Sequence, residues 1–143
     1  MRTTRKRWLA FGALVFALNF AWEMSQASWF ASMRGMPFWP ATYLCARAAL
    51  GDLVIAAISF AAAATLARSV TWPVQHRVVF SSGAFILVGL AIVVVYELVA
   101  LRTGMWRYAE TMPTLFGIGT LPTLQWLALP ICEVVLFRVL SRR

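Results

Sequence analysis

Four carboxylic acids interrupt long apolar runs of this sequence, and they are the residues best suited to do chemistry. Glu23, Asp52, Glu97 and Glu133 are each the one charged residue of such a run. An ionisable group in the bilayer core costs about 2.5–3.5 kcal/mol even on lenient scales, so each acid needs a reason to be there. A carboxylic acid surrounded by hydrocarbon can keep its proton at neutral pH, because its charged form is desolvated, and can act as a general acid.

Polar residues accompany the first of these acids. Asn19, Glu23 and Gln26 are spaced by four and three residues, so they share one face of a helix that Trp22 flanks. Such a face avoids lipid and is expected to point into a helix bundle. In the last apolar run, Gln125 follows Pro122 and is expected to reach the same layer.

Three of the acids are predicted to lie at one depth. Glu23 is 15 residues past Trp8, which is roughly 22 Å along a helix. Asp52 comes five residues after Arg47, and Glu97 comes five residues before Arg102. The interpretation in which Asp52 and Glu97 merely pair with those arginines stays open. Glu133 is expected near the opposite end of its helix, neutralised by Arg138 or by lipid headgroups.

These residue types match the needs of carbocation chemistry. A neutral carboxylic acid can protonate a polyene or an epoxide, and aromatic faces can stabilise the developing cation. We therefore predict Glu23 as the proton donor and Asp52 or Glu97 as the assisting carboxylate. The predicted substrate-binding residues are Asn19, Trp22, Gln26, Trp106, Tyr108 and Gln125.

Other chemistries have little support in the sequence. His76 is the single histidine and lies in a loop, so ligation of haem or of a metal cluster through histidines has no residues to use. Phosphate-binding glycine loops and Ser-His or Cys-His pairs are also missing from the sequence. Cys45 and Cys132 are expected at opposite ends of the bundle, too far apart for a disulfide. We expect no cofactor and no metal.

Four short motifs carry a resemblance to a known family. They are Asn19-Phe20-Ala21-Trp22-Glu23, Gly51-Asp52, Gly104-Met105-Trp106-Arg107-Tyr108 with Met112-Pro113, and Leu121-Pro122-Thr123-Leu124-Gln125. Together they resemble a family of short bacterial inner-membrane proteins that has no assigned activity. This resemblance implies four helices and brings no function with it.

The NxxWE segment from Asn19 to Glu23 also resembles the integral-membrane terpene cyclases of fungal meroterpenoid pathways. That resemblance implies that Glu23 protonates an epoxide on a prenylated substrate. Those enzymes have about seven helices, so a complete pocket in a chain with four would need a dimer. The Trp-x-Tyr and Gly-x-Leu-Pro region is similar to the lycopene cyclases of carotenoid pathways. This chain has Pro122-Thr123-Leu124-Gln125 where that family has a proline followed by paired acids.

Composition identifies the elements that must position these residues. The 143 residues are 62% hydrophobic and 13% charged, whereas soluble domains average about 45–50% and about 25%. Stretches of more than about 18 apolar residues predict membrane-spanning helices. We predict one all-α domain, a bundle of four transmembrane helices over about 8–33, 48–67, 78–101 and 114–137.

The distribution of positive charge predicts the orientation of the bundle. Nine basic residues are expected on one side: Arg2, Arg5, Lys6, Arg7, Arg68, Arg77, Arg138, Arg142 and Arg143. Four are expected on the other: Arg34, Arg47, Arg102 and Arg107. The positive-inside rule then predicts that both termini are cytoplasmic, in a bacterial inner membrane. The net charge of +8 indicates contact with lipid headgroups and not with nucleic acid.

Three functional interpretations follow. The first is a protein that binds or acts on a membrane lipid of the isoprenoid type, as a cyclase or isomerase that uses a protonated carboxylic acid. The second is a non-catalytic integral subunit or assembly factor of a larger membrane complex. The third is a small transporter or proton pathway that works as an oligomer.

Overall fold

The protein folds into four long helices in a computed structural model that describes residues 2–75 and 78–141, with the backbone alone for residues 2–4. The helices are α1 Arg2–Gln26, α2 Phe38–Ala67, α3 Val78–Thr103 and α4 Thr120–Ser141. Each is long and apolar enough to cross a membrane, which confirms the prediction of an all-α protein with four such helices. His76, Arg77, Arg142 and Arg143, which entered the sequence predictions, lie outside the described residues.

The four helices pack in a ring in which consecutive helices run antiparallel. Helix α1 contacts α2 and α4, and α3 also contacts α2 and α4. The inward face of α3 repeats about every four residues and holds Ser81, Phe85, Gly89, Val93 and Glu97. At Gly89 a β-carbon would overlap the indole ring of Trp126, so this close approach of α3 and α4 requires glycine.

Irregular segments close one end of the bundle, which we call the loop end. Two 3₁₀ turns, Ala27–Trp29 and Ala31–Met33, follow α1. Strands β1 Thr114–Leu115 and β2 Ile118–Gly119 form a hairpin before α4. Its tip has left-handed φ angles of 52° at Phe116 and 81° at Gly117, which a helix does not accommodate. The apolar run predicted as a span from residue 114 therefore becomes helical only at Thr120.

Helix α2 begins ten residues before the predicted span. The prediction placed the start after Arg47, because a charge ends the apolar run. In the structure Arg47 is exposed on the side of the helix, and the helix begins directly after Pro37. Proline fixes the backbone at the residue that precedes the helix, so Pro37 marks the start better than the charge does.

Aromatic side chains fill the other end of the bundle, which we call the terminal end because α1 begins and α4 ends there. This aromatic cluster consists of Trp8, Phe11, Phe60, Trp72, Phe85 and Phe137, with ring centroids in contacting pairs between 5.2 and 6.3 Å apart. Trp72 and Phe85 are fully buried. The interior of the bundle is therefore apolar at the terminal end and polar towards the loop end.

Candidate functional site

The centre of the candidate site is the amide of Gln125 on α4, which links three helices. Its Nε2 atom donates to Oδ1 of Asn19 at 2.9 Å and to Oδ2 of Asp52 at 3.0 Å. Its Oε1 atom accepts from Nε2 of Gln26 at 3.3 Å. Gln125 is fully buried, so these bonds replace the water that its amide would otherwise require.

Glu23 and Asp52 form a carboxyl pair between α1 and α2. Oε1 of Glu23 accepts a hydrogen bond from Nε2 of Gln26 at 2.7 Å. Asp52 lies near enough to Glu23 for the two acids to interact electrostatically, and it is also close to the Trp126 indole. Both acids are half-buried. The sequence spacing had indicated that these two acids meet, and the structure brings them together.

Gln26 joins this carboxyl pair to the rest of the first helix. Its Nε2 atom serves both Glu23 and Gln125, and its Oε1 atom accepts from Nε1 of Trp22 at 3.2 Å. Every polar atom of this buried side chain is therefore used. The predicted polar face of α1 does point into the bundle, and Trp22 belongs to it through the hydrogen bond of its indole.

Glu133 belongs to the same network, and the expectation that Arg138 neutralises it near the helix end is wrong. Glu133 is 2% exposed, and its Oε1 atom accepts from Nδ2 of Asn19 at 3.2 Å. Its Oε2 atom is buried without a hydrogen-bond partner. Arg138 donates to the backbone carbonyl of Pro73 at 2.6 Å instead. Glu133 shares the inward face of α4 with Gln125, Leu129 and Phe137, and that periodicity is the signal that could have placed it.

Glu97 has different hydrogen-bond partners from those of Glu23 and Asp52. It is 5% exposed and accepts hydrogen bonds from the Tyr108 hydroxyl and from Nε1 of Trp106, the latter at 3.3 Å. The Tyr108 hydroxyl oxygen accepts from the backbone N–H of Gly119 at 2.9 Å. Three of the predicted site residues thus form a second cluster, whose hydrogen bonds run to the loop-end segments and not to Glu23 or Asp52.

Tyr108 is the hydrogen-bond donor of this second cluster. Partial burial, together with its hydrogen bond to Glu97, raises the pKa of its phenol. The hydroxyl therefore keeps its proton over the physiological range and donates it to the carboxylate. The ring of Tyr108 packs on Gly119, where a β-carbon would lie 3.1 Å from the ring.

Neither Asp52 nor Glu97 pairs with an arginine in the part of the chain that the structure describes. Their hydrogen bonds come from Gln125 and from Trp106 and Tyr108, respectively, whereas Arg47 and Arg102 are exposed. The alternative interpretation, in which both acids serve as ion-pair partners at the interface, is therefore wrong. Amide, indole and phenol donors partner these acids in place of cations.

An apolar groove of about 360 Å³ opens on the outer surface between α1 and α2. It is lined by Trp8, Leu9, Gly12, Ala13, Phe16, Leu50 and Leu53. Phe16 lies seven residues before Glu23 and thus on the same face of α1, about 10 Å away along the helix. Leu53 is the neighbour of Asp52 in sequence. The groove therefore runs along the outer surface of α1 and α2 from the aromatic cluster to the level of Asp52.

The geometry permits proton transfer from a neutral carboxyl group and the binding of an apolar ligand beside it. Among residues 2–75 and 78–141, no group of three or more His, Cys, Asp or Glu side chains is arranged to hold a metal ion. The chain was compared with protein-family models, curated proteins and solved structures, and none of them matches it.

Proposed function

We propose that this protein spans a bacterial inner membrane with both termini in the cytoplasm and acts on an isoprenoid-like lipid by general-acid chemistry. Glu23 is the proton donor, Asp52 is the assisting carboxyl group, and Gln26 and Gln125 orient the two. The observation that carries the proposal is the proximity of Glu23 and Asp52, each of which accepts from a side-chain amide, with no cation among their hydrogen-bond partners in the described part of the chain.

The carboxyl pair supplies the proton. Two carboxylates side by side in a medium of low dielectric constant repel each other, so the pair retains a proton where a single surface acid would not. The amide donors of Gln26 and Gln125 each bind one carboxyl oxygen of the pair. The proton passes from Glu23 to an alkene carbon or an epoxide oxygen of the substrate and generates a carbocation.

The proposed reaction regenerates the acid and needs no reagent other than the substrate. Loss of a proton from a carbon next to the cation, back to the Glu23 carboxylate, restores the acid and leaves a rearranged alkene. The net change is an isomerisation or a cyclisation in which no atom is gained or lost. Trp22 is close enough to the pair to offer its aromatic face to the cation, since its indole donates to Gln26.

The groove between α1 and α2 accounts for the apolar part of the substrate. Its walls are apolar side chains together with Gly12, and they include Leu53, the sequence neighbour of Asp52. A prenyl chain lying in the groove would place its double bonds along the lipid-facing surface with one end at the carboxyl pair. This arrangement also supports access from the bilayer, because the groove is open to the outside.

The test compares Glu23→Gln with Glu110→Gln in protein reconstituted in nanodiscs. The first change keeps a hydrogen-bonding side chain at the site but removes the acidic proton, and the second changes an exposed acid outside the helices. The probe is a photoreactive prenyl lipid, with a straight-chain acyl lipid of the same length as its control. Lipids extracted from each sample are analysed by mass spectrometry.

We expect both variants to crosslink the prenyl probe in preference to the acyl probe, and only Glu23→Gln to lose conversion of a bound prenyl lipid. Equal crosslinking of the two probes would refute the lipid specificity. Loss of a stoichiometric protein partner on purification of Glu23→Gln, with no lipid turnover in the native chain, would instead support the subunit interpretation.

A further inference from the structure

Two loop-end segments are joined across the mouth of the polar interior. We call residues 27–37 and 104–119 together the cover. Phe30 forms an antiparallel bridge with Tyr108, flanked by hydrogen bonds from Ala31 N to Arg107 O and from Ala109 N to Trp29 O, each 2.9 Å long. Arg34 adds a side-chain bond of 2.6 Å to Thr111. The cover is therefore one connected structure, although its two parts are far apart in sequence.

Glu97 is the point at which the helices hold the cover. Its Oε2 atom accepts from both Trp106 and Tyr108, which belong to the cover, while the residue itself lies on the inward face of α3. The Tyr108 hydroxyl is also bound by the N–H of Gly119, at the root of the hairpin. The Oε2 atom of Glu97 thus connects α3 directly to Trp106 and Tyr108, near the start of the longer cover segment. Through the Tyr108 hydroxyl it is also connected to Gly119, at the end of that segment.

A native cysteine, Cys45, can report by its reactivity whether the cover is closed. Cys45 on α2 is 2% exposed and lies seven residues before Asp52, about 10 Å closer to the loop end. Ala109 and Met112 of the cover are buried as well. Cys45 therefore lies on the loop-end side of Asp52, in the half of the bundle that carries the cover.

We infer that Glu97 is a positioning residue that latches the cover over the polar network through Tyr108 and Trp106, and that release of this latch opens the loop end. The role needs an acceptor oxygen at this position and no acidic proton. The inference concerns access to the interior and does not depend on which ligand binds there or on whether the Glu23–Asp52 pair is catalytic.

The experiment measures how fast Cys45 reacts with a charged methanethiosulfonate reagent in detergent-solubilised full-length protein. Cys132, which is exposed, is first changed to serine, and the labelled Cys45 peptide is quantified by mass spectrometry. We expect Tyr108→Phe and Glu97→Ala to react about tenfold faster than the parent, since each loses two of the hydrogen bonds that hold the cover. Glu97→Gln should stay near the parent rate, because its amide oxygen still accepts.

Matched controls come from residues of the same type outside the latch. Tyr43→Phe changes a tyrosine that is 68% exposed, and Glu110→Ala changes an exposed acid. Neither should alter the labelling of Cys45. Unchanged labelling in Tyr108→Phe and Glu97→Ala would overturn the inference. So would a Glu97→Gln rate as high as that of Glu97→Ala, because an acceptor oxygen at this position would then not be enough to hold the cover.

Helical circular dichroism distinguishes opening of the cover from general loss of folding. Tyr108→Phe and Glu97→Ala should keep the helical signal of the parent under the labelling conditions while Cys45 reacts faster. Faster labelling that appears only together with a loss of helical signal would contradict a cover that opens on its own.

Discussion

At the scale of single residues, side-chain amides hold the interior together. Asn19, Gln26 and Gln125 contribute the donors that reach Glu23, Asp52 and Glu133. An amide presents a donor and an acceptor at once, so it can bridge two acids without a cation. A buried cation would instead neutralise an acid by forming an ion pair. The amides therefore fix the positions of the acids without neutralising them as a cation would.

Gln125→Leu should destabilise the protein by about 1–2 kcal/mol, because it removes three hydrogen bonds and leaves the acceptors on Asn19 and Asp52 without this donor. The measurement is thermal unfolding in detergent, followed by helical circular dichroism. Gln75→Leu, at an exposed position outside the helices, is the control. Equal melting temperatures for the two variants would show that the network contributes nothing to stability.

Glu133→Gln should be tolerated better than Glu133→Ala. The glutamine retains an acceptor for Nδ2 of Asn19 and removes a carboxyl group whose second oxygen has no partner. Alanine leaves a cavity on the inward face of α4, at a cost of about 2 kcal/mol or more. The same unfolding measurement checks this order. A larger loss for glutamine than for alanine would mean that Glu133 carries a charge that the fold requires.

At the scale of elements, the approach of α3 to α4 depends on one glycine. Gly89 leaves room for the ring of Trp126, which packs with Val15, Ala56 and Val93 in the central apolar cluster. Gly83 on the same helix has open space where its β-carbon would be. Packing therefore requires glycine at position 89 but not at position 83, and substitution of each by alanine distinguishes the two positions.

Gly89→Ala should lower the stability of the bundle by about 1–3 kcal/mol, because the added methyl group overlaps Trp126 and forces the helices apart. Gly83→Ala should be neutral or slightly stabilising, since alanine has the higher helix propensity. Melting temperatures in detergent, with the Trp fluorescence spectrum as a second readout, compare the two. An equal effect of both substitutions would argue against close packing at Gly89.

The elements also show which parts of this structure a sequence can predict. The polar face of α1 follows from the spacing of Asn19, Glu23 and Gln26, because helical periodicity is local. Long apolar runs likewise predicted four helices. Pairing between Phe30 and Tyr108 joins distant segments, and no local pattern encodes it. The position of Glu133 was misjudged because the nearby Arg138 offered a simple partner, whereas the carbonyl of Pro73 binds that arginine in the folded chain.

At the scale of the whole molecule, the two ends of the bundle differ in both charge and chemistry. Arg5, Lys6 and Arg7 at the start of α1 and Arg138 near the end of α4 mark the terminal end, together with the aromatic cluster. The loop end carries the cover and the polar interior. Because basic residues favour the cytoplasmic side, this asymmetry supports the proposed orientation of the chain.

Reporter fusions test that orientation. A fluorescent protein that folds only in the cytoplasm should be active at either terminus, and alkaline phosphatase inserted at Glu110 should be active in the periplasm. Replacing Arg5, Lys6 and Arg7 with glutamine should increase the fraction of inverted molecules, because it removes part of the positive-inside signal. A matched change of Arg102 and Arg107 to glutamine should not invert the chain. The opposite pattern of activities would refute the orientation.

The aromatic cluster closes the polar interior at the terminal end. Trp72 and Phe85 are fully buried there, and the rings of Phe11, Phe60 and Phe137 pack around them. Two routes to the acids therefore remain, one past the cover and one along the groove between α1 and α2. We therefore expect exchange of a ligand with the acids to occur at the loop end or from the side of the bundle, and not through the terminal end.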